Sequence, residues 1–108
     1  MTKSNITFDI SLDDNNIPDK IEWNASDKPD GPGETKTVSV SVWDHDQKNT
    51  LRIDLWTKDM PVEDMKRFYI ESIGGMAQSV LRATGDEFMA REMNNLCDKL
   101  VEYVRKNS

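Results

Sequence analysis

Hydrophobic and polar residues alternate with a period of two in the first half of the chain, and the period lengthens to three or four residues in the second half. The longest alternation runs from Thr35 to Thr57. Val38, Val40 and Val42 share one parity, and Leu51, Ile53 and Leu55 answer them. Asp44-His45-Asp46-Gln47-Lys48-Asn49 between the two runs is polar and turn-forming, so the pattern predicts an antiparallel hairpin. With Asp44 opposite Asn49, Val42 meets Leu51, Val40 meets Ile53 and Val38 meets Leu55. All six aliphatic side chains then lie on one face, as a half-buried sheet requires. The other face carries Thr37, Ser39, Ser41 and Trp43 opposite Trp56, Asp54, Arg52 and Thr50.

Upstream, Ile6, Phe8, Ile10 and Leu12 alternate with polar residues and predict a first strand with one buried face, closed by the turn cluster Asp13-Asp14-Asn15-Asn16 and by Pro18. Ile21, Trp23 and Ala25 make a shorter second strand that pairs with the first. The stretch from Ser26 to Glu34 holds two prolines and two glycines, which cannot sustain a helix or a central strand, and it is expected to be an exposed loop whose side chains bury nothing.

Pro61 suits a helix's first position, with Glu63 and Asp64 adding favourable charge to the first turn. Val62, Met65, Phe68, Tyr69, Ile73, Met76, Ala77, Val80 and Leu81 form its apolar stripe. Gly74-Gly75 interrupts the pattern at about 1 kcal/mol per glycine, and is read as close packing or a local kink in preference to a hinge. Thr84-Gly85-Asp86-Glu87 has capping-box spacing and starts a second helix. Its stripe is Phe88 or Met89, Met93, Leu96, Cys97, Leu100, Val101 and Val104. The expected fold is therefore one α+β domain over residues 1–108. A four-stranded antiparallel sheet, within about 5–57, precedes two C-terminal helices at about 61–82 and 85–106 that pack on one face.

Charge narrows the partners. The chain has 20 acidic and 14 basic residues and a net charge of -6, which opposes binding to nucleic-acid phosphates and anionic lipid. Cys97 is the single cysteine, so no internal disulfide is possible; its place in an apolar stripe predicts a small buried side chain in a cytoplasmic protein. Met1-Thr2-Lys3-Ser4-Asn5 has no apolar h-region, and no stretch nears the ~20 apolar residues of a membrane helix. A soluble, unexported chain is expected, and Asn24-Ala25-Ser26, a glycosylation pattern, has no use without secretion.

Catalytic material is sparse. His45 is the only histidine, and its neighbours Asp44 and Asp46 point in different directions, so a solvated turn is preferred to a metal site. Asp13-Asp14-Asn15-Asn16 lacks the glycine and closing glutamate of a calcium loop. Gly31-Pro32-Gly33 and Gly74-Gly75 lack the lysine of a phosphate-binding loop. No catalytic, cofactor-binding or metal-binding residue is assigned, no cofactor is expected, and an enzyme using surface carboxylates is the weaker class. Protein binding has better material: Trp43, Trp56 and Arg52 sit on the polar sheet face, where exposed aromatics and arginine mark interfaces. The alternative is that the tryptophans cover the sheet's rim or pack beneath the Pro/Gly loop.

Ile21-Glu22-Trp23-Asn24-Ala25-Ser26-Asp27, Val42-Trp43-Asp44, Leu51-Arg52-Ile53-Asp54-Leu55-Trp56 and Met60-Pro61-Val62-Glu63-Asp64-Met65 resemble the GldC family of gliding motility-associated proteins of Bacteroidetes. The likeness covers nearly the whole chain. GldC-like proteins are similar in architecture to the export chaperone SecB, a four-stranded antiparallel sheet with helices on one side. The resemblance implies a cytoplasmic accessory of the gliding apparatus with no catalytic activity and no cofactor, and it transfers no functional residues. By analogy of fold it also implies a homo-oligomer, with protein partners among gliding or secretion components. A SecB-like chaperone for exported proteins is the alternative within the binding class.

Overall fold

A computed structural model describes residues 2–107; Met1, with which the polar N-terminal segment starts, and Ser108 lie outside the described residues. The chain forms two compact units, Met1–Met60 and Pro61–Ser108. In the first, β1 (Ile6–Leu12), β2 (Pro18–Ala25) and β3 (Gly33–Thr35) make one antiparallel sheet, and β4 (Thr37–Asp44) and β5 (Asn49–Trp56) make another. The four-stranded sheet expected from the sequence is thus replaced by five strands in two sheets. The missing strand is β3, which pairs Thr35 with Ile21 and Gly33 with Trp23. Three residues at the end of a Pro/Gly stretch carry no period, so alternation could not announce it.

The β1–β2 turn is built by Asp13, whose carboxylate accepts from the amides of Asn15 and Ile17 at 2.8 and 3.0 Å while Asn16 takes a left-handed φ of 61°. β1 then pairs Ile10 with Ile21 and Phe8 with Trp23. Its expected buried face does not form: Ile6, Phe8 and Leu12 are exposed, and burial concentrates on Ile21 of β2. Alternation tells which face would be covered, not whether anything covers it. The Pro/Gly stretch is no featureless loop either. Lys28 is partly buried, its ammonium 5.3 Å from the centre of the Trp23 ring and donating to the Gly31 carbonyl, which folds the loop over Trp23.

The end of β5 is tied to the first sheet. The Lys58 amide donates to the Pro18 carbonyl at 3.3 Å, the Lys58 ammonium meets the Asp13 carboxylate at 3.1 Å, and Lys36 pairs with Asp59. The Ile17 amide first, then Lys58, hold the Asp13 carboxyl below the usual carboxylate range, and Asp13 in turn raises Lys58.

In the second unit α1 (Val62–Thr84) and α2 (Glu87–Lys106) pack together as a helical hairpin, with Ala77 and Ala90 buried. Both helices extend close to the bounds expected. Pro61 stands one residue before α1 in extended conformation, its carbonyl accepting from the Met65 amide at 2.9 Å. α1 runs through Gly74-Gly75 without a break, which removes the predicted interruption. A Cβ at Gly74 would stand 3.9 Å from the Cys97 sulfur of α2, an ordinary contact distance, and one at Gly75 would meet open space.

The capping box at Thr84 is also corrected. The Thr84 hydroxyl is used by its own helix, donating to the Val80 carbonyl at 2.6 Å. Gly85, at φ +72°, closes α1 by donating to the Leu81 carbonyl, and Asp86 caps α2 by accepting from the Met89 amide at 2.9 Å. Cys97 is half-buried, with its sulfur 3.6 Å from the Ile70 carbonyl.

Candidate functional site

The β4–β5 hairpin has the register read from the sequence at every pair from Thr37↔Trp56 to Asp44↔Asn49, with no bulge. Its polar face therefore brings Ser39, Ser41, Arg52 and Asp54 together. The Arg52 guanidinium donates to the Ser41 hydroxyl at 2.6 Å, to the Ser39 hydroxyl at 2.7 Å and to the Asp54 carboxylate at 2.9 and 3.3 Å. Ser39 donates to the same carboxylate. Arg52, then Ser39, hold the Asp54 carboxyl below the usual carboxylate range. This network ties the planar Arg52 guanidinium to three side chains of the hairpin's polar face and gives its donors defined directions.

Trp43 and Trp56 stand at opposite ends of that face. Trp43 is opposite Thr50 beside the loop, and Trp56 is opposite Thr37 at the far end. They are 60% and 52% exposed. Six residue steps of a strand separate the two ends, roughly 20 Å.

The aliphatic face is less covered than its alternation implied. Val38, Val40 and Leu55 are half-buried, but Val42, Leu51 and Ile53 are more than half exposed. The expected half-buried face is thus open at its loop end. Beside β5, the residues Ile17, Pro18, Asp54, Leu55, Trp56 and Lys58 line a hollow of about 260 Å³. On the helical hairpin, Ile70, Val101 and Val104 floor a groove of about 450 Å³ rimmed by Glu63, Asp64, Glu71, Arg67 and Arg105. Ile70 lies outside the stripe that runs through Tyr69; its three- and seven-residue spacing to Ile73 and Ala77 is the sequence signal for its place in the groove.

His45 lies in the exposed β4–β5 loop with the Lys48 ammonium 3.4 Å from its Nδ1. The Asp13 cluster is a turn, as described. Among the described residues no three His, Cys, Asp or Glu side chains gather as a metal site. No helix among them is long and apolar enough to cross a membrane.

Compared with known proteins, the chain matches the family model described as Gliding motility-associated protein GldC-like over residues 18–106, from the first residue of β2 to the last of α2. No curated protein and no solved structure matches it.

Proposed function

The chain belongs to the GldC-like family of gliding motility-associated proteins, and from that premise we propose that it is a non-enzymatic, cytoplasmic accessory of the gliding apparatus. It works as one α+β domain that binds protein partners among the gliding or secretion components, and as a homo-oligomer. The observation that carries this reading is the polar face of the hairpin, where the fixed Arg52 network lies between two tryptophans that are each about half exposed or more. Aromatic and arginine side chains are the groups that dominate interface energetics, and Arg52, already held by Ser39, Ser41 and Asp54, loses little freedom on binding. The order of antiparallel strands followed by two helices supports reading the domain as SecB-like.

A crosslinked pull-down from gliding cells tests it, using wild type and a Trp43→Ala/Trp56→Ala variant with an unchanged circular dichroism spectrum. Wild type recovers a defined motility component and the variant loses it. Equal recovery by both would remove the polar face from the function.

One observation favours a second reading. The exposed Val42, Leu51 and Ile53 are apolar surface of the kind a SecB-like chaperone offers to unfolded chains. That reading expects many unrelated clients in the same pull-down, and suppressed aggregation of a denatured test protein.

A further inference from the structure

We propose that two copies of this chain join through the free edge of β4, antiparallel about a two-fold axis at Ser41, to make a four-stranded sheet in the order β5-β4-β4-β5. The inference rests on the homo-oligomer part of the preceding reading and names the surface that makes it.

The Thr57 amide donates to the Lys36 carbonyl at 2.8 Å, which makes Lys36 and Thr57 a directly hydrogen-bonded pair. In an unshifted antiparallel ladder such pairs alternate, so Val38, Val40, Val42 and Asp44 spend their main-chain groups on β5. Those of Thr37, Ser39, Ser41 and Trp43 point away from it. Among the described residues no third strand joins this sheet. At Thr37 the Thr35 hydroxyl serves both groups, donating to the carbonyl at 3.0 Å and facing the amide at 3.4 Å. Ser39, Ser41 and Trp43 are left with their amides and carbonyls aligned along one edge.

That edge has none of the usual protections. Between Thr37 and Trp43 there is no proline, no charged side chain and no bulge. The outer edge of β5 is different: Arg52 and Asp54 lie on that strand, and its last residues share a hollow with Ile17 and Pro18 of the first sheet's turn. A hairpin of two strands is marginal by itself, and pairing on the β4 edge supplies the further strands that a stable sheet needs.

A second copy fits this edge better than an arbitrary strand because the edge is its own complement. With the axis at Ser41, Ser39 pairs with Trp43 of the partner subunit and Ser41 with Ser41 of the partner subunit. Every outward amide and carbonyl of these three residues then finds its partner. Parity is kept, so Val40 lies beside Val42 of the partner subunit and the two aliphatic faces become continuous.

The full-length chain with Cys97→Ser, which removes the only cysteine, is the background for the test. Directly opposed residues of an antiparallel pair stand about 4.5–5.5 Å apart at Cα, inside the roughly 4.4–6.8 Å window of a disulfide. Ser41→Cys therefore oxidises to a covalent dimer by itself. Val40→Cys and Val42→Cys form mixed dimers on mixing, in excess of what either gives alone. Ser41→Pro removes an edge amide without taking a bond from the β5 ladder, and light scattering reads the 12.4 kDa monomer where wild type reads twice that mass. If Ser41→Pro fails to fold by circular dichroism, the cysteine pattern decides. A wild-type chain that is monomeric throughout overturns both this inference and the homo-oligomer reading. An oligomer that neither crosslinks at Ser41→Cys nor in the Val40→Cys and Val42→Cys mixture overturns this inference alone.

Discussion

Ile21 is the one large side chain fully enclosed among the described residues, while Ile6, at the far end of the adjacent strand opposite Ala25, is 68% exposed. Truncation at the two sites separates a packed position from an open one. Ile21→Ala should cost about 2–5 kcal/mol through lost burial and a residual cavity; Ile6→Ala should change stability by roughly 0.5 kcal/mol or less. Urea denaturation of both variants measures the contrast, and equal effects would mean Ile6 is covered in the working state. Asp13 is a second residue with a specific consequence. The Ile17 amide and Lys58 lower its pKa in the folded chain. A lowered carboxyl stabilises the fold fully above its unfolded value of about 3.9, and that contribution disappears as pH falls through the folded value. Lys58, raised by Asp13, contributes below its ordinary pKa and loses that contribution as pH rises through the folded one. Asp13→Asn should therefore flatten the acid side of the stability profile, seen as a smaller drop in urea midpoint between neutral and acid pH. An unchanged acid limb would assign the pH dependence to Asp54 and Asp59, whose pKa values are also lowered.

At the scale of elements, the helical hairpin separates what glycine and aspartate do. Gly75 sits in mid-helix with open space where a Cβ would go, so Gly75→Ala should stabilise by about 0.5–1 kcal/mol. Asp86 supplies the side chain that caps α2, and Asp86→Ala should cost about 1 kcal/mol. Thermal melts read both; a destabilising Gly75→Ala would show that this surface is occupied in the functional state. The same elements show what could be read from the sequence. The β4–β5 register was legible pair by pair, because a period of two and a polar turn fix both the face and the pairing. The helices were legible from their stripes. β3 was not, since three residues have no period, and neither was the cap. Thr84 and Asp86 both precede the second stripe, and only the backbone reveals that Thr84 still belongs to α1, where its hydroxyl bonds Val80. The candidate face was legible in composition, as Trp43, Arg52 and Trp56. Arg52's clamp on Ser39, Ser41 and Asp54 followed from the register, but the exposure of Val42, Leu51 and Ile53 did not, because a pattern of alternation carries no information about cover.

For the whole molecule, charge and association pull in opposite directions, and that opposition gives a test of how copies meet. Each chain carries a net charge of -6, so two copies repel, over about 30 Å at 0.01 M salt but only about 8 Å at 0.15 M. The proposed contact between Ser39, Ser41 and Trp43 is made of backbone hydrogen bonds and neutral side chains, which salt hardly weakens. Screening should therefore remove repulsion without removing attraction, and the dimer should tighten on going from low to physiological salt. An assembly held by ion pairs across its interface would respond in the opposite sense, because salt screens exposed charge pairs. Sedimentation velocity across a salt series measures the direction. Looser association at higher salt would indicate that charged side chains, and not the uncharged edge of β4, hold the copies together.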